Sequence, residues 1–230
     1  MSTSAVAREI GVARATVRDW RAGKVPSAAM CDGIDLWDEP GFAQAEYCHL
    51  LGLYLGDGCI SHAPRTTVLR IYFDAAYPRL IAEAVRDLRR VRPGANLHVF
   101  RQAATRCVVV GSMWTRWPEL FPQDGPGRKH ERPIFLADWQ RALTTRYPEP
   151  FVRGLLNSDG CRYVNRVTVR GREYAYPSYA FTNVSEDIKS LLCEHLDIVG
   201  IAWRRASARN IAMTRRSAVA RLDEFVGPKR

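Results

Sequence analysis

The sequence predicts an α+β fold built twice, a duplicated αββαββα core with pseudo-twofold symmetry, preceded by a small helix-turn-helix module. Three observations lead there. An eleven-residue motif beginning at His49 recurs from Phe151. Each copy is followed by the same succession of short strands and amphipathic helices. The first 26 residues have a composition of their own, with basic residues at 8, 14, 18, 21 and 24 and only Glu9 and Asp19 against them.

In chain order, residues 1–26 are expected to form the helix-turn-helix. Ala7 is small where two helices would cross, Gly11 supplies the tight turn, and Val17 and Trp20 face inward. The second helix would then present Arg14, Thr16, Arg18 and Arg21 to a major groove. The bland alternative is an amphipathic helix pair with a solvated basic face. Residues 27–45 follow as an acidic linker or support helix, carrying Asp32, Asp35, Asp38 and Glu39 before Pro40-Gly41.

The first repeat is expected over 46–148 and the second over 149–230. His49-Leu-Leu-Gly-Leu-Tyr-Leu-Gly-Asp-Gly-Cys59 returns as Phe151-Val-Arg-Gly-Leu-Leu-Asn-Ser-Asp-Gly-Cys161. A strand over Val68–Phe73 leads to a helix over Tyr77–Arg90, and Tyr179–Thr182 to one over Ser185–Val199. Further strand pairs are expected around 97–110 and 202–214. Each copy then closes on a short helix and a basic turn, at Pro126–Lys129 and Gly227–Arg230.

The charge balance narrows the function classes. With 34 Lys and Arg against 24 Asp and Glu, the net charge is +10, a field suited to an anionic polymer. Only four of the basic residues are lysines; the arginine bias favours bidentate phosphate and guanine contacts, although genome base composition gives the same bias. The six cysteines contain no C-x-x-C pair, so they read as buried free thiols rather than a zinc site or disulfide framework. No apolar run approaches the ~18 residues of a membrane span, no signal-peptide core is present, and no amphipathic helix sets a basic face beside a bulky apolar one. A cytoplasmic protein with no membrane partner is expected.

Asp57 and Asp159 occupy matched places in the two copies, each after a helix with small residues one turn apart: Gly52 and Gly56, Gly154 and Ser158. Helices with such residues at i and i+4 can pack backbone to backbone and bring their C-terminal ends together. Two carboxylates placed there repel unless a cation lies between them. Hard oxygen donors of this kind suit Mg²⁺, or Mn²⁺, and metal-assisted phosphodiester hydrolysis. The alternative is that both acids merely cap helix ends before Gly58 and Gly160.

Leu50–Gly58 and Val152–Gly160 resemble the two signature motifs of the LAGLIDADG homing endonuclease family, and the resemblance covers about Glu46 to Arg230. It implies that the motif helices form the interface between halves and that Asp57 and Asp159 bind metal. It further implies that the carbonyls of Gly56 and Ser158 add ligands and that each four-stranded sheet saddles double-stranded DNA. Family members often place a basic residue near each metal; Lys129, 72 residues after Asp57, and Lys229, 70 after Asp159, hold matched positions. Two solvated loop lysines are the plainer reading. The N-terminal stretch similarly resembles the helix-turn-helix of resolvase-like and transcription-factor domains.

In the second repeat Arg162, Arg166, Thr168, Arg170 and Arg172 all fall on even positions, which predicts one guanidinium-rich strand face with Tyr163, Val167 and Val169 on an apolar, packed one. The first repeat offers Arg70 and Tyr72 opposite Leu69, Ile71 and Phe73. A solvated sheet face is the competing account. Two functions follow: a site-specific, metal-dependent DNA endonuclease, and a regulator that keeps the core for DNA binding without cutting. No small-molecule cofactor is expected, and the internal duplication argues for a monomer.

Overall fold

The computed structural model of the protein describes residues 36–229. The helix-turn-helix expected over 1–26, with Arg14, Thr16, Arg18 and Arg21, lies outside the described residues, as does the first part of the linker. The chain divides into two compact units, Met1–Glu39 and Pro40–Arg230. Of the first, the described residues hold one turn of 3-10 helix, Leu36–Asp38.

The second unit is a duplicated α+β core. Its first half runs α1 (Gln44–Asp57), β1 (Gly58–Ala63), β2 (Thr66–Asp74), α2 (Pro78–Val91), β3 (Leu97–Arg101), β4 (Cys107–Met113), α3 (Trp117–Leu120) and α4 (Asp138–Arg146). The second runs α5 (Pro148–Asp159), β5 (Gly160–Val169), β6 (Arg172–Thr182), α6 (Glu186–Ile198), β7 (Arg204–Arg205), β8 (Asn210–Met213) and α7 (Arg216–Phe225). Each half holds one antiparallel four-stranded sheet, and the orders match: β1-β2-β4-β3 and β5-β6-β8-β7.

α1 lies at the centre. Every residue from Tyr47 to Leu55 is buried, which suits a helix that is apolar on all sides and enclosed on all sides. α2 is amphipathic instead: Leu80, Ala84, Leu88 and Val91 turn inward at helical spacing and Pro78 occupies the first turn, where its missing N–H costs nothing. α6 starts on a Ser185 cap whose hydroxyl accepts from the Ile188 N–H at 3.3 Å. α4 has no counterpart in the sequence reading, which closed the first copy in the basic turn near Lys129. Its Gln140 amide donates to Tyr47 Oη at 2.7 Å and to the Leu120 carbonyl at 3.2 Å, tying α4 to the central helix through buried polar atoms.

The second hairpin overturns the expected arginine stripe. Arg170 and Gly171 form the two-residue turn, with φ of 50° and 78°, the type that matches strand twist. Across that turn Val169 pairs with Arg172 and Thr168 with Glu173. Partners directly opposite share a face, so Arg172 lies on the side opposite Arg162, Arg166 and Thr168. The packed face is also the reverse of the one expected. Arg162 pairs with Tyr179, which is buried, and both bind Asp223 of α7, at 2.8 and 2.6 Å. Tyr163 and Val167, expected to pack, are exposed. Strand alternation carried only parity; which parity faces the helices is decided at the base of the hairpin by Tyr179 and Phe181.

In the first sheet Leu69, Ile71 and Phe73 are buried against the helices, with Arg70 and Tyr72 on the opposite side. Arg70 donates to Ser61 Oγ at 2.6 Å, and Tyr72 Oη lies 3.8 Å from Cys59 Sγ, both across to β1.

Candidate metal centre and nucleic-acid interface

α1 and α5 meet with no side chain between them where Gly52 faces Gly154, and with only that of Ser158 one turn on. A Cβ on Gly52 would lie 2.6 Å from the Phe151 carbonyl and 2.7 Å from the Leu155 nitrogen. One on Gly154 would overlap the His49 carbonyl and sit 2.9 Å from Gly52 Cα. One turn on, a Cβ on Gly56 would overlap Ser158 and lie 2.9 Å from Asp159 Oδ2. The small residues therefore do here what their spacing implied: they let the helices touch by backbone and carry the two C-terminal ends together. Across this seam His49 Nε2 lies 3.3 Å from Asn157 Nδ2, while its Nδ1 is 2.7 Å from Asp87 Oδ2 on α2.

A swap tests the seam at its lower level. Gly56→Ala alone is expected to destabilise the core by about 2–4 kcal/mol, because Ser158 cannot move its Cβ. Adding Ser158→Gly vacates the contested volume, and the double variant should recover at least about half of the loss in a urea melt.

Asp57 and Asp159 are the last residues of α1 and α5, and each chain turns directly into a strand at the glycine that follows. Gly58 and Gly160 are needed for closeness: a Cβ would lie 2.6 Å from Tyr54 Cα in one and 2.5 Å from the Leu156 carbonyl in the other. The Asp159 carboxylate accepts from Asn183 Nδ2 at 2.7 Å. Asp57 has no such donor among the described residues. Burial, and then repulsion by Asp159, pushes the Asp57 carboxyl up to about 6 against the pull of Lys229 and Lys129. Burial likewise raises Asp159, with the Asn183 hydrogen bond opposing it.

Sequence reasoning passed over Asn183. It sits just past β6, where its Oδ1 accepts from the Ser185 N–H at 2.7 Å and frees its amide to point at Asp159. Asp74 makes the same turn after β2, accepting from the Ala76 N–H at 2.8 Å, but as an acid it has no amide to donate. A polar residue in a tight turn between the second strand and second helix of each repeat was the available signal.

Both matched lysines come to the centre. Lys129 Nζ donates to the carbonyls of Tyr54, Leu55 (3.3 Å) and Gly58 (2.5 Å) and lies 4.3 Å from the Tyr54 ring centre. It thus caps the carbonyl end of α1, where the helix dipole is negative. Withdrawal from water brings its ammonium down to about 8. Lys229 Nζ donates to the Ser158 carbonyl at 2.7 Å, and burial lowers its pKa too. A cavity of about 330 Å³ opens beside Lys129, lined also by Gly56, Gly58, Cys59, Asp124 and Arg132.

The donor set suits a hard divalent cation. Among the described residues no group of three or more His, Cys, Asp and Glu side chains converges on a metal position, so the protein offers two carboxylates and backbone carbonyls. Mg²⁺ or Mn²⁺, which keep water ligands and need only one or two carboxylates, match that set; a soft-metal site would need thiolates or imidazoles. Asp57 and Asp159 would hold the ion; of the two carbonyls expected to assist, that of Ser158 already accepts from Lys229.

The other DNA-contact candidates are spread over both sheets. Arg70 and Tyr72 lie on the outer face of the first. In the second, Arg172 is on the outer face, Arg166 and Thr168 on the inner, Arg170 is at the turn, and Arg162 is committed to Asp223. No helix among the described residues is long and apolar enough to cross a membrane.

No family model matches the sequence, and no curated protein does. Solved structures do. The homing endonuclease I-DmoI in complex with DNA and Ca is 12% identical, covering 80% of this chain and 90% of that one at a TM-score of 0.53. Mesophilic variants of the same endonuclease are 9% identical over 80% of this chain and 96% of theirs, at 0.50. Full-length DUF199/WhiA from Thermatoga maritima is 15% identical over 85% of this chain and 60% of that one, at 0.47. The likenesses to the I-DmoI structures show the fold: the described core of this chain, with two four-stranded sheets in matching order, has the LAGLIDADG homing endonuclease fold.

Proposed function

We propose that this chain binds double-stranded DNA along its two sheets and hydrolyses phosphodiesters at a Mg²⁺ or Mn²⁺ site held by Asp57 and Asp159. One observation carries the reading. Two helices pack by bare backbone and deliver to one place two carboxylates that burial, and at Asp57 the repulsion of Asp159 as well, drives towards protonation. A protein gains nothing in stability from such a pair, and a cation relieves it.

When bound, the cation supplies Lewis-acid stabilisation of charge developing on the phosphodiester. The chain's own groups do the rest. Asn183 holds the Asp159 carboxylate in one orientation. Lys229 sets a positive charge beside both acids, next to where phosphate charge would grow. Lys129 fixes the carbonyl end of α1 and so the direction of Asp57. Arg70, Arg166, Arg170 and Arg172, with Tyr72 and Thr168, are the contacts assigned to DNA, and the helix-turn-helix of residues 1–26 adds Arg14, Thr16, Arg18 and Arg21. The net charge of +10 and the DNA and Ca in the I-DmoI structure agree with this assignment.

A second reading, a regulator that binds without cutting, is favoured by one feature: both lysine ammonium groups already occupy carbonyls at the centre, including that of Ser158. The two readings part in one experiment. The full chain is incubated with Mg²⁺ and a randomised duplex library, in parallel with an Asp57→Asn, Asp159→Asn variant. Cleavage of a selected subset by the parent, and binding of the same subset with cutting at background by the variant, is the expected result. Binding by the parent without any cleavage selects the regulator instead.

A further inference from the structure

Resting on the DNA reading above, we infer that the β5–β6 ribbon is a groove-filling arm that makes the DNA site lopsided, extending it about four base pairs further on the side of the second repeat. β1 and β2 pair over six positions, Gly58↔Ile71 to Ala63↔Thr66, whereas β5 and β6 pair over ten, Gly160↔Phe181 to Val169↔Arg172. At ~3.3 Å per residue the four extra pairs add about 13 Å, which is about four steps of B-DNA.

The added length is not there to be packed. Residues 161–168 and 170–177 are all exposed, whereas most of β2 is buried or half-buried in the first hairpin. On its outer face the ribbon shows Tyr163, Tyr174 and Tyr176, the last two stacked with ring planes 4° apart. Hydrophobic rings on both strands of an arm clear of the body are a liability unless something covers them.

Charge identifies the occupant. Beyond Arg162, bound to Asp223, the arm carries Arg166, Arg170 and Arg172 against the single acid Glu173, and no ion pair among the described residues holds those three. A two-stranded ribbon is of a width to enter the major groove, where the arginines reach phosphates or guanines and tyrosine rings lie against base edges and thymine methyls. The type of turn keeps the arm narrow to its tip.

The register supplies the test. Deleting Arg166–Val169 and Arg172–Ala175 joins Asn165 to Tyr176 through the same Arg170-Gly171 turn. Asn165 and Tyr176 are already a register pair, so the ribbon shortens to six pairs, the length of the first hairpin. The probe is the duplex that the full-length parent selects from a randomised library, read by hydroxyl-radical footprinting and by titration over a salt series. The parent footprint should be longer on one side of its centre. In the trimmed chain it should retract there by about four base pairs, with affinity falling 10- to 100-fold and the salt slope by about two. An Arg172→Ala, Tyr174→Ala variant of full length should lose about 10-fold in affinity and keep the fold. A symmetric parent footprint, or one unchanged by both variants, overturns the arm and points to a protein partner for the rings. A parent that protects no duplex at all overturns the DNA reading itself.

Discussion

Gly154→Ala is expected to cost the core at least about 4 kcal/mol, enough to leave much of the chain unfolded at 37 °C, and the loss should show as a collapsed urea midpoint. The new methyl would overlap the His49 carbonyl and come within 2.9 Å of Gly52 Cα and 3.0 Å of the Leu53 nitrogen. All three are backbone atoms of a buried helix, so no rotamer change can absorb the clash. Gly94→Ala is the control. Gly94 has a φ of 75° with nothing within 4 Å of the added Cβ, so it should lose only the ~1–2 kcal/mol of left-handed strain. Equal losses at the two positions would mean that the helices separate easily and that the acids are not held by backbone contact.

The same contact explains why this fold was legible from residues alone. A seam without side chains admits few residue types, and the chain repeats its solution after 102 residues, so Gly52, Gly56, Asp57 and their partners Gly154, Ser158 and Asp159 stand out. The two lysines were legible for the same reason, as scarce residues at matched distances. The face of the second hairpin was not. Alternation gives two faces but not which one is packed, and Tyr163, Val167 and Tyr174 have the apolar character of core residues while lying on an arm that no helix covers. The Asp223 that captures Arg162 is 61 residues away, a pairing no local pattern contains. α4 escaped for a related reason: it is short, and beside Trp139 and Leu143 its attachment rests on Gln140 bonded to Tyr47 and Leu120, a buried polar contact that apolar spacing does not mark. Asn183 was hidden by being ordinary, one asparagine in a turn, informative only once Asp159 is seen beside it.

The acid pair carries a prediction whose sign separates a metal centre from a pair of helix caps. Asp57→Asn in metal-free protein is expected to raise stability by about 3 kcal/mol at pH 7.5 and by nothing near pH 3.5. The folded carboxyl titrates at about 6 against an ordinary value of 3.8, a difference worth ~1.4 kcal/mol per unit. Below about pH 4 both folded and unfolded chains hold the proton and the substitution is neutral. Between about 4 and 6 the folded chain keeps a proton that the unfolded chain has released, so the stability of the parent falls as pH rises; above 6 the whole penalty is present. The asparagine variant has no such slope from this position. A divalent cation should then act on the parent selectively, since binding to the folded state alone adds about 2.7 kcal/mol at a hundredfold excess over Kd. Thermal melts of both chains across pH 3.5–8, with and without Mg²⁺, measure this directly. Were Asp57 a satisfied cap, its carboxylate would be stabilised by the fold, and the asparagine variant would be weaker than the parent at pH 7.5 and indifferent to the ion. A gain in stability on losing the acid, cancelled by adding the ion to the parent, is the signature of a carboxylate kept in place for a cation.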